Sequence, residues 1–287
     1  MLSQEQIHFY HTNGYLGVEG VLSGEEIDEL RKVTDEMVER SRQVTENDGV
    51  FDLEPGHTPE QPKLRRLMDP SKQHPLYDRV MRHDGILDIV SQLIGLDLRM
   101  NGQKLNMKSA DVGSPVEWHQ DWAFYPHTND DLLAVGIAID DMTEENGCLL
   151  VLPGSHKERI YDHHLDGFFA GAVTEPDFSS SKAVPIELKA GGISIHHVRL
   201  LHASAPNTSS KSRRLLLYQY CATDAWPLWP ITGRIETWEG YMEGVVRGKA
   251  TIQPRVEAVP VRMPLPPAVR RGTIYEVQSI LGKKFDR

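Results

Sequence analysis

Apolar residues at Ile27, Leu30, Val33, Met37 and Val38 recur at helical spacing, which predicts one helix with a single buried face. Ser23-Gly24-Glu25-Glu26 directly before them is a capping box, so the helix starts there. Ser3 caps an earlier helix through His11, Asp84 caps a third through Leu93, and Gly14-Tyr15-Leu16-Gly17-Val18 predicts a short strand between the first two. From Leu98 onward the repeat shortens to two residues. Strands are expected near 98–108, 115–121, 132–140, 148–152, 183–188, 192–197 and 213–221, separated by Gly, Pro, Asn and Ser clusters.

Two stretches lack either period. Residues 46–73 hold Pro55, Pro59, Pro62 and Pro70 among few apolar positions and read as a loop, a candidate lid over a site. Residues 223–287 hold Pro227, Pro230, Pro254, Pro260, Pro264, Pro266 and Pro267 and read as irregular. The expected architecture is mainly β with flanking helices: a double-stranded β-helix, the jelly-roll or cupin-like barrel. Residues 1–97 would form a mainly helical flank and 98–222 the barrel core of one 1–287 domain.

Composition narrows the partners. The net charge of −10 and pI near 5.7 argue against nucleic acid, which wants clustered Lys and Arg. Arg65-Arg66, Arg270-Arg271 and Lys283-Lys284 read as ordinary solvated pairs, and Arg213-Arg214 alone stands apart. No apolar run approaches the roughly 18 residues that span a bilayer, so no membrane partner is expected. Cys148 and Cys221 make no disulfide framework. Neither terminus carries a recognisable targeting signal, so the expectation is cytoplasmic; a homodimer is left open.

The chemistry concentrates at His119-Gln120-Asp121. Residues one apart on a strand share a face, so this imidazole and carboxylate can grip one metal while Gln120 points away. Chance alone gives about two His-x-Asp/Glu triplets at this composition, so spacing is not enough. Three occur. His156/Glu158 follows the turn Pro153-Gly154-Ser155 and His164/Asp166 lies in a polar stretch, whereas His119 ends the strand-like Pro115-Val116-Glu117-Trp118. Two His and one carboxylate leave three positions of an octahedral ion open, the set that non-heme Fe(II) oxygenases use.

The motifs Trp118-His119-Gln120-Asp121, Ile137-Ala138-Ile139-Asp140-Asp141, Glu145-Asn146-Gly147-Cys148-Leu149, Pro153-Gly154-Ser155-His156-Lys157 and His202-Ala203-Ser204-Ala205-Pro206-Asn207 occur in this order before Arg213. Together with the opening Phe9-Tyr10-His11-Thr12-Asn13-Gly14-Tyr15 and Val21-Leu22-Ser23, they resemble the phytanoyl-CoA dioxygenase family. The resemblance ends near residue 222. It implies an Fe(II)- and 2-oxoglutarate-dependent dioxygenase that uses O2 and releases succinate and CO2.

The resemblance also implies roles. His119, Asp121 and His202 would be the metal ligands, His202 being preferred to His196 or His197 because it precedes a Ser-x-Pro-Asn turn. Arg213, eleven residues further on, would bind the distal carboxylate of 2-oxoglutarate through its planar fork, aided by Ser204 and by Lys104 from the first barrel strand. Arg213 and Arg214 face opposite ways on a strand, so only one can point inward. In some relatives a tryptophan precedes the Ile-Ala segment; Gly136 stands there in this chain. The retained Asp121 favours hydroxylation, desaturation or ring closure over halogenation.

Trp122, Phe124, Tyr125 and His127 are candidate substrate contacts, with Trp226 and Trp229 as a cover. The absence of an evident basic cluster suggests a small, mainly apolar metabolite. Two other classes remain open: a catalytically silent metal-binding relative, and a zinc-dependent hydrolase using the same three ligands.

Overall fold

The computed structural model describes residues 1–110, 113–229, 237–270 and 272–282. Arg271 and the Lys283-Lys284 pair therefore lie outside the described residues. Helix α1 (Gln4–Asn13) starts on a capping box between Ser3 and Gln6, and strand β1 (Tyr15–Val18) follows. Helix α2 (Gly24–Arg40) starts on the Ser23/Glu26 box and buries Ile27, Leu30, Val33 and Met37. The periodic residues of the sequence thus face the core.

The stretch expected as a loop at 46–73 instead contributes β2 (Phe51–Leu53), β3 (Leu64–Met68) and α3 (Pro70–Gln73). Pro55, Pro59 and Pro62 fall between the strands and Pro70 opens the helix, where a missing N–H costs nothing. Strands this short show too little alternation to be read without their partners. Helices α4 (Pro75–Met81) and α5 (Asp84–Ile94) then lead into β4 (Leu98–Lys108).

Beyond β4 come β5 (Val116–His119), β6 (Leu132–Ala138), β7 (Leu149–Val151), the two-residue β8 (His164–Leu165) and β9 (Phe168–Phe169), and β10 (Val184–Ile186). Strands β11 (Ile193–His197), β12 (His202–Ser204) and β13 (Arg213–Ala222) complete the core. The larger sheet runs β1-β11-β6-β13-β4-β3-β2 and the smaller β10-β7-β12-β5, all antiparallel, which is the double-stranded β-helix expected.

The larger sheet separates its faces by the two-residue repeat. Leu67, Leu105, Leu216, Ile137 and Ile195 point to the helices and share a core with Leu30 and Ile86. The alternate positions, including Arg66, Lys104, Asn106, Gln219, Ser194 and His196, point into the barrel and line its cavities. A polar inner face on a buried sheet is costly unless something polar is held there.

The last sixty residues are more ordered than expected, with α6 (Trp238–Gly244), β14 (Val245–Arg247) on the edge of β4, and α7 (Ile274–Gln278). Helix α7 lies across the barrel mouth. The Gln278 side chain donates to Gly171 O at 2.7 Å and accepts from Glu117 N at 3.1 Å, tying α7 to β5. Cys148 and Cys221 are both free and buried. Among the described residues no helix is long and apolar enough to cross a membrane.

Candidate active site

Strand β5 ends at His119 and β12 begins at His202, and the two residues pair directly across the smaller sheet. Asp121 opens a short 3-10 turn immediately after β5. Between them, Gln120 turns away and is held by Arg199 O at 2.9 Å and Tyr161 N at 2.9 Å, so both of its neighbours face the barrel. One ligand atom each from His119, Asp121 and His202 lies within 4.8 Å of the others. No other such group of His, Cys, Asp and Glu occurs among the described residues.

Backbone carbonyls set the tautomers. His119 Nδ1 donates to Glu117 O at 2.7 Å and His202 Nδ1 to Leu200 O at 2.9 Å, which leaves both Nε2 lone pairs facing inward. Burial lowers the pKa of His119 to about 4 and holds His202 well below the usual imidazole range. For Asp121, burial acts to raise the carboxyl, but His196, His202, Lys104 and His119 together hold it well below its usual range. Two neutral imidazoles facing a carboxylate are not ion pairs; they are the deprotonated donor set a divalent cation requires. The residues fit the iron.

Arg213 closes the far end of the inner cavity that these ligands line. It is 2% exposed, donates from Nη2 to Gly147 O, and has no partner for Nε. Arg214 points outward to Asp140 at 2.7 Å and Asp35 at 2.7 Å. Ser204 is buried in the wall of the same cavity. Lys104 also lines it, but next to Asp121 and opening onto an outer cavity as well. The lysine beside Arg213 is Lys108, its cross-strand partner, whose Nζ donates to the carbonyls of Ser204 and Ala205. A Cβ on Gly136 would fall 2.7 Å from Ser194 Oγ, so the barrel has no room there for the tryptophan of some relatives.

The aromatic candidates divide. Phe124 and Tyr125 line the outer cavity, which also borders Asp121. Trp122 instead is fully buried in an apolar cluster and donates to Pro260 O at 2.7 Å. His127 is fully buried, donating from Nδ1 to Tyr125 O at 2.8 Å, and Trp226 stacks on Tyr241 at 5.3 Å. Neither of these, nor Trp229, borders the cavities. Strand alternation already sets Trp122 on the side of Gln120, away from His119 and Asp121, and the 3-10 turn at Asp121–Ala123 does not bring it back.

Sequence reasoning weighs His196 only as an alternative ligand, misses Gln219 and Tyr275, and puts Arg66 in solvent. His196 borders the inner cavity with its ring 4.3 Å from His202 and Nε2 3.7 Å from Asp121 Oδ2, beside the three donors rather than among them. Gln219 donates to Asp121 Oδ2 at 3.3 Å, and its alternation with Arg213 already pointed inward. Tyr275 on α7 borders the inner cavity; the signature Thr273-Ile274-Tyr275-Glu276 is a capping box that would have revealed the helix. Arg66, expected in solvent, is 4% exposed inside the outer cavity.

The model of the family described as phytanoyl-CoA dioxygenase matches residues 10–215. The "Probable alpha-ketoglutarate-dependent hypophosphite dioxygenase" of Stutzerimonas stutzeri is 34% identical, over 98% of this chain and 99% of its own. Among solved structures, the non-heme alpha-ketoglutarate-dependent carbocyclase SnoK from nogalamycin biosynthesis is 26% identical, covers 78% of this chain and 85% of its own, and superposes with a TM-score of 0.64. EctD from S. alaskensis, with bound Fe, shares the fold at a TM-score of 0.69 and 20% identity, covering 87% of this chain and 88% of its own. Family match, near full-length relative and donor set agree: the chain belongs to the phytanoyl-CoA dioxygenase family and is an iron- and 2-oxoglutarate-dependent oxygenase.

Proposed function

We propose that His119, Asp121 and His202 hold the iron, that Arg213 with Ser204 and Lys108 receives the distal carboxylate of 2-oxoglutarate, and that a small polar metabolite is hydroxylated from the outer cavity. The observation that carries this reading is the position of Asp121, which borders both cavities at once. A cosubstrate entering from Arg213 and a substrate entering from the opposite side would meet at the same ion. The zinc-hydrolase alternative leaves Arg213 without a task.

Iron and 2-oxoglutarate supply the oxidant when bound. One atom of O2 enters an X–H bond of the substrate as X–OH, and the other enters succinate as CO2 is released. The protein's part is positional. The carbonyls of Glu117 and Leu200 keep both Nε2 atoms unprotonated and aimed inward. Burial lowers the Arg213 guanidinium from its usual range, and its planar five-donor fork matches a carboxylate. Gln219, bonded to both Asp121 and the Tyr125 hydroxyl, fixes the carboxylate against the outer cavity. Helix α7, held by Gln278, limits entry of water.

Arg66, Lys104, Gln103 and Gln219 border the outer cavity beside Phe124, Ile274 and Val277, which favours a substrate with a polar group over a wholly apolar one. Hypophosphite, named for the Stutzerimonas stutzeri relative, is the first compound to test. Succinate should form from 2-oxoglutarate with Fe(II) and not with Zn(II), and a true substrate should raise its rate. Equal turnover with Zn(II), or none with Fe(II) across a metabolite screen, would sink the proposal.

A further inference from the structure

Arg66 lies on β3 opposite Asn106 of β4, and Lys104 sits two residues along β4, opposite Met68. All four face the barrel interior. Arg66 is 4% exposed, and its Nε and Nη2 are buried without a hydrogen-bond partner. The Tyr275 ring lies 5.2 Å from its guanidinium and stacks on Arg65 at 4.5 Å, walling Arg66 in from α7. Lys104 is half-buried, and among the described residues its ammonium makes no hydrogen bond or ion pair. Both residues border the outer cavity together with Asp121.

Two cations converging on one cavity repel each other, and burial strips their solvation as well. Burial, and then the neighbouring Arg66, lower Lys104 below its usual range despite the attraction of Asp121. Such an arrangement is unfavourable unless an anion fills it. Asp52 and Glu276 act on Arg66 through space, but no nearby acid makes a hydrogen bond or ion pair with it or with Lys104 among the described residues. Asp48 accepts from the backbone of Val50 and Phe51, Asp69 pairs with Lys72 at 2.9 Å, and Glu276 caps Thr273. Asp52, opposite Arg66, makes its ion pair with Arg65 at 3.8 Å, and burial raises its pKa towards the neutral form.

We infer that Arg66, with Lys104 beside it, anchors the substrate's anionic group, so that the substrate is a small oxyanion whose X–H bond is directed towards Asp121. This rests on the oxygenase reading of the same site and adds the substrate class and the residue that selects it. The charge could belong to a phosphorus oxyanion or to a carboxylate, since a guanidinium fork fits both. The cavity, about 680 Å³, also admits anions larger than hypophosphite.

The test is calorimetry on the Fe(II) protein with saturating 2-oxoglutarate and no O2, so that Arg213 is occupied and no turnover occurs. The probes are hypophosphite, methylphosphonate, acetate and neutral acetamide. At least one oxyanion should bind and acetamide should not; the preferred oxyanion identifies phosphorus or carboxylate chemistry. Arg66→Gln should weaken binding about tenfold or more, with Arg66→Lys in between, and in air should raise substrate KM more than it lowers kcat. The surface variant Arg79→Gln should bind as wild type. Binding of no oxyanion, equal binding of acetamide, or unchanged affinity in folded Arg66→Gln would overturn the inference. If Arg66→Gln does not fold, Lys104→Gln decides by the same measure, severalfold weaker binding supporting it and unchanged binding overturning it. Oxyanion binding that depends on Arg66 without any succinate in air would instead refute the oxygenase proposal alone.

Discussion

His202 lies directly across the sheet from His119, their ring centroids 4.1 Å apart and each Nδ1 tied to the carbonyl two residues before it. The pairing gives two equivalent imidazoles on adjacent strands, and Asp121 completes the set from the turn. Replacing Asp121 or His202 by Ala removes a donor while leaving the sheet's backbone bonds intact. Iron affinity should fall by at least about a hundredfold, and succinate formation with it. Metal titration followed by assay at saturating iron separates lost affinity from lost turnover; full activity in Asp121→Ala would remove it from the ligand set.

Arg213 and Arg214 are adjacent in sequence and do different work. Arg213→Ala should raise the KM for 2-oxoglutarate roughly 10- to 100-fold, as expected for loss of a charged hydrogen-bonding fork worth about 1.5–3 kcal/mol. Arg214→Ala loses the Asp140 and Asp35 pairs and should cost about 1 kcal/mol of stability while leaving that KM nearly unchanged. Initial-rate kinetics and urea unfolding on both variants give the comparison; the opposite pattern would reverse their assignments.

What could be read from the chain followed from repeating patterns. The helical period of α2, the alternation of β4 and β13, and the His119-x-Asp121 spacing each carry their structural meaning locally. Arg66 does not: its strand has five residues in a proline-rich stretch, and only pairing with β4 turns its side chain into the barrel. Trp122 is a candidate only for its place next to the ligands, although strand alternation already sets it on the side of Gln120, away from His119 and Asp121. Helix α7 is short and weakly periodic, so its position over the mouth is fixed by long-range bonds such as those of Gln278.

Gly147 joins the turn after β6 to Arg213 in the wall of the inner cavity. Its φ is +77°, and a Cβ there would lie 2.4 Å from Ala205 O, while its own carbonyl accepts from Arg213. Gly147→Ala should therefore cost about 1–3 kcal/mol of stability and also raise the KM for 2-oxoglutarate, because the arginine loses its seat. A loss of stability with unchanged KM would show that Arg213 is held by other contacts.

Buried histidines should make the fold sensitive to mild acid. Burial lowers His119, His127 and His163 from 6.5 to about 4, and His197 to about 3. In the unfolded chain each takes up a proton near pH 6.5, whereas in the folded chain it stays neutral until about pH 4 or below. Between these values the unfolded state binds more protons, so stability falls as pH drops from about 6.5 towards 4. Asp52 and Asp131, whose pKa values burial raises, act in the opposite sense and reduce the slope. Urea midpoints of the metal-free protein should drop markedly between pH 7 and pH 5. His127 is the cleanest check because it lies away from the metal donors: His127→Asn should be less stable at pH 7 yet lose stability less steeply on acidification, by about one proton's worth of slope. An unchanged slope in that variant would mean that His127 already titrates normally in the folded protein.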